Sequence, residues 1–418
     1  MEKLWRWYAN KSFMLKMTAG FALGVVAGLL LKEHSSLLTP LGTLFLNLLK
    51  MIVIPLVALS LIVAVNHSNP KDLGRIGLKI FPLYMITTAV SVVVGIALAT
   101  WTNPGEGLSL PTDANVNPPD KPSFIDTILR MVPSNIFSAL AAGDILAVVS
   151  VSVIVGLAIL IMRHSADLKQ QEMGELLYKI MEAGNEVVTK ILNGILQYAP
   201  IGVFGITANT FGSQGLETVV SLGKFIGTSY AGVIILLVVV YPLIMKSFGV
   251  KVVKFYKDIK EAIFTSFVTS SSLSTLPISI KAAERAGISE RVARLTLPIG
   301  ATMNMNGTAL RLGVAVIFAA EIVGVSLSVP ELASIVIVGT VTAVGIAGVP
   351  GTGLIAMSIV FTQAGLPIEI VALTAGINVL VDMIFTCGNV TGDLVSAKIV
   401  DQTEKWQEKK LLNQLHKG

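Results

Sequence analysis

The stretch "ATMNMNGTALRLG" (301–313) lies inside an apolar block, 292–323, that is long enough to cross a lipid bilayer. It carries two amides, two hydroxyls and the positive charge of Arg311. A charged side chain at the bilayer centre costs at least about 2.5–3.5 kcal/mol to insert. Polar groups persist at that depth where they bind something or line a cavity. The stretch therefore predicts a binding site inside a membrane-embedded helix.

The composition is that of a polytopic membrane protein. Of 418 residues, 53% are hydrophobic and 14% charged, and the mean hydropathy is +0.76, whereas soluble domains carry about 25% charged residues. Eight blocks are long enough to span a bilayer: 13–31, 40–66, 76–101, 144–162, 188–211, 221–245, 292–323 and 367–396. Two further blocks, 258–286 and 331–364, are interrupted by Ser, Gly and Pro. We predict an all-α membrane protein with eight transmembrane helices and two interrupted segments.

Basic residues cluster in alternate connections between these blocks. The clusters are Lys3 to Lys16, Lys71 to Lys79, Arg163 to Lys169, Lys246 to Lys260 and Lys405 to Lys410. The connection 102–125 holds a single lysine among Pro and Asp. By the positive-inside rule, we expect a multi-pass cell-membrane protein with both termini in the cytoplasm. The net charge of +5 then reflects membrane asymmetry and gives no support to nucleic-acid binding.

Enzymatic chemistry finds little support in the sequence. Cys387 is the one cysteine, and the four histidines are far apart, so neither a disulfide nor a His/Cys metal site is expected. No G-x-x-x-x-G-K-[ST] loop occurs. Ser271 and Ser272 have no His or Lys in a matching motif to activate them as nucleophiles. We predict that the protein is not an enzyme.

The last 160 residues divide into two similar halves. In the first half "TSSSLSTLP" (269–277) interrupts an apolar block, and "NMNGTA" (304–309) breaks the next helix. In the second half "GIAGVPGTG" (345–353) and "CGNVTGD" (387–393) are expected to do the same. Interruptions at matching places in two halves indicate a transporter binding site. Small residues earlier in the chain are expected only to let helices pack closely: Gly20, Gly24 and Gly28.

These four motifs, with "DMIFT" before the last, resemble the signatures of the glutamate transporter family, the dicarboxylate/amino acid:cation symporters. The resemblance covers nearly the whole chain. It implies a homotrimer with an elevator mechanism, inverted repeats and two re-entrant helical hairpins, the second of which, around 345–353, is the extracellular gate. Scaffold helices 1–2 and 4–5 would occupy 1–75 and 111–215. The transport domain would take helix 3 in 76–110 and the remainder, 216–418.

The resemblance also implies sodium as the co-transported ion, with no cofactor. The first cation site would take backbone carbonyls of Gly300, Asn304 and Asn389 and the carboxylate of Asp393. The second would take the backbone at Thr302, Met305, Ala343, Val344 and Ile346. The third would take Tyr84, Thr87, Thr88, Asn304 and Asn306. Because Asn306 stands where the family has a carboxylate, we expect the third site not to be used.

For the substrate, the resemblance implies an amino-acid pocket between the hairpins. Ser271, Ser272 and the Asn389 amide would hold the α-carboxylate, and Asp382 with Thr386 the amino group. The remaining pocket residues would be Thr308, Arg311, Val349, Gly353 and Phe385. The alternative for Asp382 is a salt bridge to a structural cation. Since no Lys or Arg lies within a turn or two of it in the last span, we favour contact with substrate or ion.

Two arginines that relatives use to grip an acidic side chain are absent, replaced here by Phe385 and Ser270. Arg311 instead stands where the family usually has an aromatic residue, so the arginine and the aromatic have exchanged places. If the two positions touch, a cation–π contact is retained. Arg311 is then a relocated ligand for a substrate anion, a charge that compensates Asp393 and Asp382, or a substitute for a lost cation.

The function predicted on this basis is sodium-coupled symport of a small amino acid, with a zwitterionic substrate slightly preferred. The alternative substrate is an acidic amino acid or dicarboxylate held by Arg311. The alternative class is an anion channel through the Arg311 region. Relatives that also move protons or potassium carry an acidic residue where this chain has Leu312, so neither proton symport nor potassium countertransport is expected.

Overall fold

The computed structural model describes residues 13–66, 73–108, 129, 132–142, 145–214, 217–345 and 351–415. Within these ranges every regular element is helical. The α-helices are α1 (Phe13–Leu31), α2 (Thr39–Asn66), α3 (Leu78–Thr102), α4 (Ile136–Ala142), α5 (Ile145–Arg163), α6 (Leu168–Gln214), α7 (Glu217–Ile235), α8 (Tyr241–Ser247), α9 (Val252–Thr269), α10 (Ser272–Arg285), α11 (Glu290–Met303), α12 (Asn306–Val323), α13 (Val329–Val344), α14 (Thr352–Gln363), α15 (Glu369–Ala375) and α16 (Asn378–Leu415).

Six helical stretches of the described chain are long and apolar enough to cross a membrane: Leu15–Val63, Arg75–Thr102, Leu168–Gly212, Thr218–Ser247, Glu290–Val323 and Asn378–Gln407. The first is 49 residues long and contains both α1 and α2, and α5 is a shorter apolar helix. In the last two stretches 89% and 83% of the most apolar window is buried, against 56% or less in the other four. These two stretches therefore form the interior of the protein.

Helices α1, α2, α5 and α6 pack on one another. A Cβ atom added at Gly20 would lie 2.4 Å from the Pro200 carbonyl oxygen, and one at Gly28 would lie 2.4 Å from the Ala208 oxygen. At Gly24 the corresponding atom would lie 2.8 Å from the Phe204 oxygen. The expectation that these glycines serve close helix packing is confirmed, because all three face the backbone of α6.

The remaining helices gather around α12, in which nearly every residue is buried. Helices α3, α7, α13, α14 and α16 all contact it. Its contact with α3 depends on two glycines: a Cβ atom at Gly95 would lie 2.2 Å from the Leu310 oxygen, and one at Gly313 would lie 2.3 Å from the Val92 oxygen. The polar motif 304–311 therefore lies at the centre of this helix group.

The chain breaks where three of the four motifs predict. Helix α9 ends at Ser270, whose φ of 49° is left-handed, and α10 begins two residues later with Ser271 as its N-cap. Helices α11 and α12 are separated by Asn304 and Met305, which have non-helical backbone angles. Helix α13 ends before Gly345, and α14 begins after Gly351, with a φ of 87°. Residues 346–350, and with them the predicted site residues Ile346 and Val349, lie outside the described residues.

The predicted break at 387–393 is wrong, because α16 runs without interruption from Asn378 to Leu415. Its glycines serve close approach instead. A Cβ atom at Gly388 would lie 3.1 Å from the Gly307 Cα, and one at Gly392 would lie 2.4 Å from the Asn306 Nδ2. Glycine within a helix costs about 1 kcal/mol relative to alanine, and the packing of α12 against α16 accounts for it here.

Candidate functional site

A polar cavity opens where the break between α11 and α12 meets the starts of α10 and α14 and the middle of α16. Its volume is about 20 Å³, roughly the space that one water molecule needs. Seven of the ten predicted substrate residues lie on its wall, together with Ser270, Met305 and Thr352. The full lining is Ser270, Ser272, Met305, Thr308, Thr352, Gly353, Asp382, Phe385, Thr386 and Asn389. The sequence motifs therefore converge in space as predicted.

Arg311 lies fully buried beside this cavity, on α12. Its Nη1 donates to Asp382 Oδ1 at 2.7 Å and its Nη2 to Asn378 Oδ1 at 2.7 Å. Its Nε faces the sulfur of Met357 at 3.1 Å. A Cβ atom at Gly353 would lie 2.3 Å from Nη1, so the absence of a side chain there gives the guanidinium its space. Three helices, α12, α14 and α16, thus fix one cation at the cavity wall.

Asp382 connects Arg311 to the start of α14. Its Oδ1 accepts from Arg311, while its Oδ2 accepts from Asn378 Nδ2 at 2.7 Å and from the Gly351 N–H at 3.1 Å. The salt bridge is the alternative that the sequence analysis disfavoured for Asp382. No Lys or Arg stands near Asp382 along the last span, and its partner Arg311 comes from α12, which agrees with the predicted role of Arg311 as a compensating charge. Asp382 also lines the cavity.

The exchange of arginine and aromatic between two helices is consistent with their positions. The Arg311 guanidinium carbon lies 5.8 Å from the centroid of the Phe385 ring. This distance is within the range of a cation–π contact. The predicted contact between the two positions is confirmed. Of the two aspartates considered as partners for Arg311, the described ion pairs include Asp382 and not Asp393.

Asn389 links α16 to the start of α12. Its Oδ1 accepts from the N–H groups of Gly307 at 2.7 Å and Thr308 at 3.2 Å. Its Nδ2 lies 3.4 Å from Thr308 Oγ1. The side-chain oxygen therefore accepts from N–H groups in the first turn of α12, which have no partner within the helix. Only Nδ2 of Asn389 is then left to donate to a ligand.

The three serines at the α9–α10 turn have different roles. Ser271 Oγ accepts from the Ser274 N–H at 3.2 Å and caps α10, and Ser271 does not line the cavity. Ser270 and Ser272 do line it, and their buried hydroxyls have no hydrogen-bond partner among the described residues. A buried hydroxyl without a partner costs about 1–3 kcal/mol. The two orphaned hydroxyls are therefore donors available to a ligand.

The predicted first cation site gathers around Asp393 on α16. Asn304 Nδ2 donates to Asp393 Oδ1 at 2.9 Å, and Gly300 lies so close that a Cβ atom there would be 2.7 Å from the same oxygen. Asp393 is 4% exposed and is in none of the described ion pairs. A buried carboxylate in a membrane helix requires a counter-charge. Oxygen ligands around one carboxylate suit a small hard cation such as Na⁺.

The residues of the predicted third site also lie together, but they are bonded to one another. Thr88 Oγ1 donates to Asn306 Oδ1 at 2.9 Å, and Asn306 Nδ2 donates to the Tyr241 hydroxyl at 3.0 Å. The Tyr241 hydroxyl donates in turn to the Gly388 oxygen at 2.8 Å. Thr87 donates to Asn304 Oδ1 at 3.3 Å, and Tyr84 to the Thr296 oxygen at 2.8 Å. A neutral hydrogen-bond network therefore surrounds Asn306, at the position where the sequence analysis expects the family's carboxylate.

The predicted second site is only partly visible. Thr302 and Met305 border the break between α11 and α12, and Ala343 and Val344 are buried at the end of α13. Helices α11 and α13 contact each other. Within the part of the chain that the structure describes, no group of three His, Cys, Asp or Glu side chains could hold a metal. A cation here would depend on amide and backbone oxygens.

Two residues that position Arg311 were missed by the sequence analysis. Asn378 contacts both Arg311 and Asp382, and it stands four positions before Asp382 on one helix face. That i, i+4 spacing was a detectable signal. Met357 comes from α14, and nothing in its sequence context distinguishes it from other apolar residues.

Comparison with known proteins confirms the resemblance inferred from the motifs. The family model described as the sodium:dicarboxylate symporter family matches residues 13–403. A proton/sodium-glutamate symport protein of Bacillus subtilis (strain 168) is 31% identical over 93% of this chain and 91% of its own. A proton/glutamate-aspartate symporter of Escherichia coli (strain K12) is 30% identical over 96% and 94%. A C4-dicarboxylate transport protein of Deinococcus deserti is 29% identical over 94% and 90%. On the match across almost its whole length, the chain belongs to the sodium:dicarboxylate symporter family, a family of transporters and not of enzymes.

Proposed function

We propose that this protein is a sodium-coupled symporter of an acidic amino acid, with the distal carboxylate of the substrate held by Arg311. The observation that carries the proposal is the Arg311–Asp382 pair at the wall of a polar cavity. The named relatives transport glutamate, aspartate or C4-dicarboxylates. They do not support the zwitterionic substrate that the sequence analysis slightly preferred.

The proposed mode of binding is an exchange of partners. Arg311 and Asp382 neutralise each other, and removing one partner of a buried ion pair without another to replace it costs about 3–5 kcal/mol. An acidic amino acid brings both replacements, an ammonium for Asp382 and a carboxylate for Arg311. A dicarboxylate would satisfy Arg311 but leave Asp382 beside another negative charge. This charge balance is why an acidic amino acid is preferred here over a dicarboxylate.

The remaining polar groups fit the α-carboxylate. The orphaned hydroxyls of Ser270 and Ser272 and the Nδ2 of Asn389 face the cavity from two sides. Thr308 and Thr386 also line it. Each would replace hydration that a carboxylate loses on entering a buried site.

For the coupling ion, Asp393 supports one sodium site with Asn304 and Gly300, because it is buried and takes part in none of the ion pairs of the described residues. A second site would use Thr302, Met305, Ala343 and Val344. The hydrogen-bonded chain through Asn306 argues against a third. We therefore propose two sodium ions per substrate, bound before and after it, with neither proton nor potassium coupling.

The broader architecture is proposed on the same basis. The helix group α1, α2, α5 and α6 would be the scaffold, and the group around α12 would be the transport domain of an elevator. Helices α9–α10 and α13–α14 would be the re-entrant hairpins, the latter the gate, in a homotrimer in the cell membrane with both termini cytoplasmic. The bonds of Asp382 to Gly351 and of Ser60 to the Gly345 oxygen support a gating role for the second hairpin region.

The test is uptake into proteoliposomes driven by a sodium gradient. Labelled L-aspartate, L-glutamate, succinate, L-serine and L-alanine are compared, with potassium in place of sodium as the control. Accumulation of L-aspartate or L-glutamate that requires sodium is the expected result. Accumulation of L-serine or L-alanine alone would favour the zwitterionic substrate. Flux that runs down its own gradient and ignores sodium would instead indicate a channel.

A further inference from the structure

A second cavity lies at the end of the molecule away from the substrate pocket. Its volume is about 200 Å³. The junction of α8 and α9, the end of α10 and the last third of α16 form its walls. Its lining is Gly249, Val250, Lys251, Lys254, Phe255, Asp258, Ala286, Lys398 and Gln402. None of these residues takes part in the proposed transport site.

The charge of this cavity is strongly one-sided. Three lysines and one aspartate line it, a net formal charge of +2. Lys398 is within electrostatic range of Lys254 and Asp258, and its Nζ donates to the Ala286 oxygen at 2.8 Å. The neighbouring Lys405 is neutralised by Asp401 at 2.6 Å. Among the described residues, the side chains of Lys251 and Lys254 form neither an ion pair nor a hydrogen bond.

An aromatic pair marks the rim of the cavity. The rings of Phe248 and Trp406 stack with centroids 6.3 Å apart, and Trp406 is 48% exposed. Trp406 also lies beside Gly249 of the cavity lining, 3.9 Å from where a Cβ atom would stand. Half-exposed tryptophan is typical of the level of lipid headgroups. Lysines at that level attract anionic lipid.

We infer that the cavity lined by Lys251, Lys254 and Lys398 binds a phosphate group at the membrane surface, that of an anionic lipid headgroup. The lysines supply positive charge, and the cavity has room for a headgroup phosphate. The aromatic pair at the rim places the cavity at the membrane interface. A free phosphate ion has the same chemistry, and the experiment separates the two sources. The site goes beyond the proposed transport function and does not depend on it.

The test measures quenching of Trp406 fluorescence by brominated lipids in the full-length chain. Trp5, Trp7 and Trp101 are replaced by phenylalanine, so that Trp406 alone reports. The protein is reconstituted with brominated phosphatidylglycerol or brominated phosphatidylcholine. The variant Lys251→Gln/Lys254→Gln is compared with Lys257→Gln/Lys260→Gln, which removes the same charge from the same helix but from residues that do not line the cavity.

Stronger quenching by phosphatidylglycerol is expected, with a preference that falls by about thirty-fold in the cavity variant and much less in the control variant. If the two variants lost the preference for phosphatidylglycerol equally, the preference would come from general surface charge, and the inference would be overturned. Inorganic phosphate, added at constant ionic strength, leaves the quenching unchanged if the ligand is lipid. Phosphate that stabilises the lipid-free protein, with no lipid preference, would assign the cavity to free phosphate and overturn the lipid assignment.

Discussion

At the scale of single residues, the proposed substrate site depends on one buried ion pair. Arg311 is fully buried, and Asp382 is its partner in the described ion pairs. We expect Arg311→Leu to lower the free energy of unfolding by about 3 kcal/mol, because Asp382 is left without a cation. The double variant Arg311→Leu/Asp382→Asn should recover a large part of that loss. Denaturation of the purified protein without substrate measures both, and purely additive losses would argue against the pair.

The neutral hydrogen-bond network through Asn306 gives a second prediction at this scale. In Asn306→Asp the carboxylate still accepts from Thr88 but cannot donate to the Tyr241 hydroxyl. We expect the variant to lose about 3 kcal/mol of stability without sodium and to be stabilised by sodium more steeply than the wild type. Melting temperatures across a sodium titration test this. Parallel curves for the two proteins would mean that a carboxylate does not complete a third site.

Residue identities predicted which side chains lie together, but not the bonds among them. Thr308, Asp382, Phe385 and Asn389 were expected at one pocket, and all four line it. Pairing with Asp382 was one of three roles predicted for Arg311. The sequence could not select it, because the two residues are 71 positions apart in the chain and such contacts depend on tertiary packing. Ser271 was placed in the pocket, whereas its hydroxyl caps α10.

At the scale of helices, close packing depends on glycines that face a neighbouring backbone. We expect Gly313→Ala to destabilise the protein by about 1–3 kcal/mol, since its Cβ would lie 2.3 Å from the Val92 oxygen of α3. Gly223→Ala in α7 is the matched control, because nothing lies within 4 Å of its added Cβ. Thermal melting in detergent compares the two. Equal melting temperatures would contradict the packing of α3 on α12.

Helix bounds were largely predictable from hydropathy, since α1, α2 and α5 begin and end within a residue of the predicted blocks. The continuous helix through 387–393 was not. Glycine and asparagine disfavour helix locally, but at Gly388 and Gly392 they allow α12 to approach α16. Local propensity alone cannot distinguish a break from a crossing point.

For the whole molecule, the proposed stoichiometry fixes the charge moved per cycle. Two sodium ions with one acidic amino acid, of net charge −1, carry one positive charge inward. With a tenfold sodium gradient and 100 mV, the driving force is about 5 kcal/mol, enough for between three and four orders of magnitude of accumulation. We expect an inward positive current, measured on supported membranes, of about one charge per L-aspartate. Two charges per substrate would indicate a third sodium ion or a zwitterion.

The most direct test of the central claim is the thermal shift caused by L-aspartate and L-glutamate in the presence of sodium, in the wild type and in Arg311→Gln. We expect stabilisation of the wild type that requires sodium and is lost in the variant, while stabilisation by sodium alone is retained in both. L-serine and L-alanine should have little effect. Stabilisation by these neutral amino acids that survives the substitution would rule out an acidic substrate held by Arg311 and leave Arg311 with a structural role only.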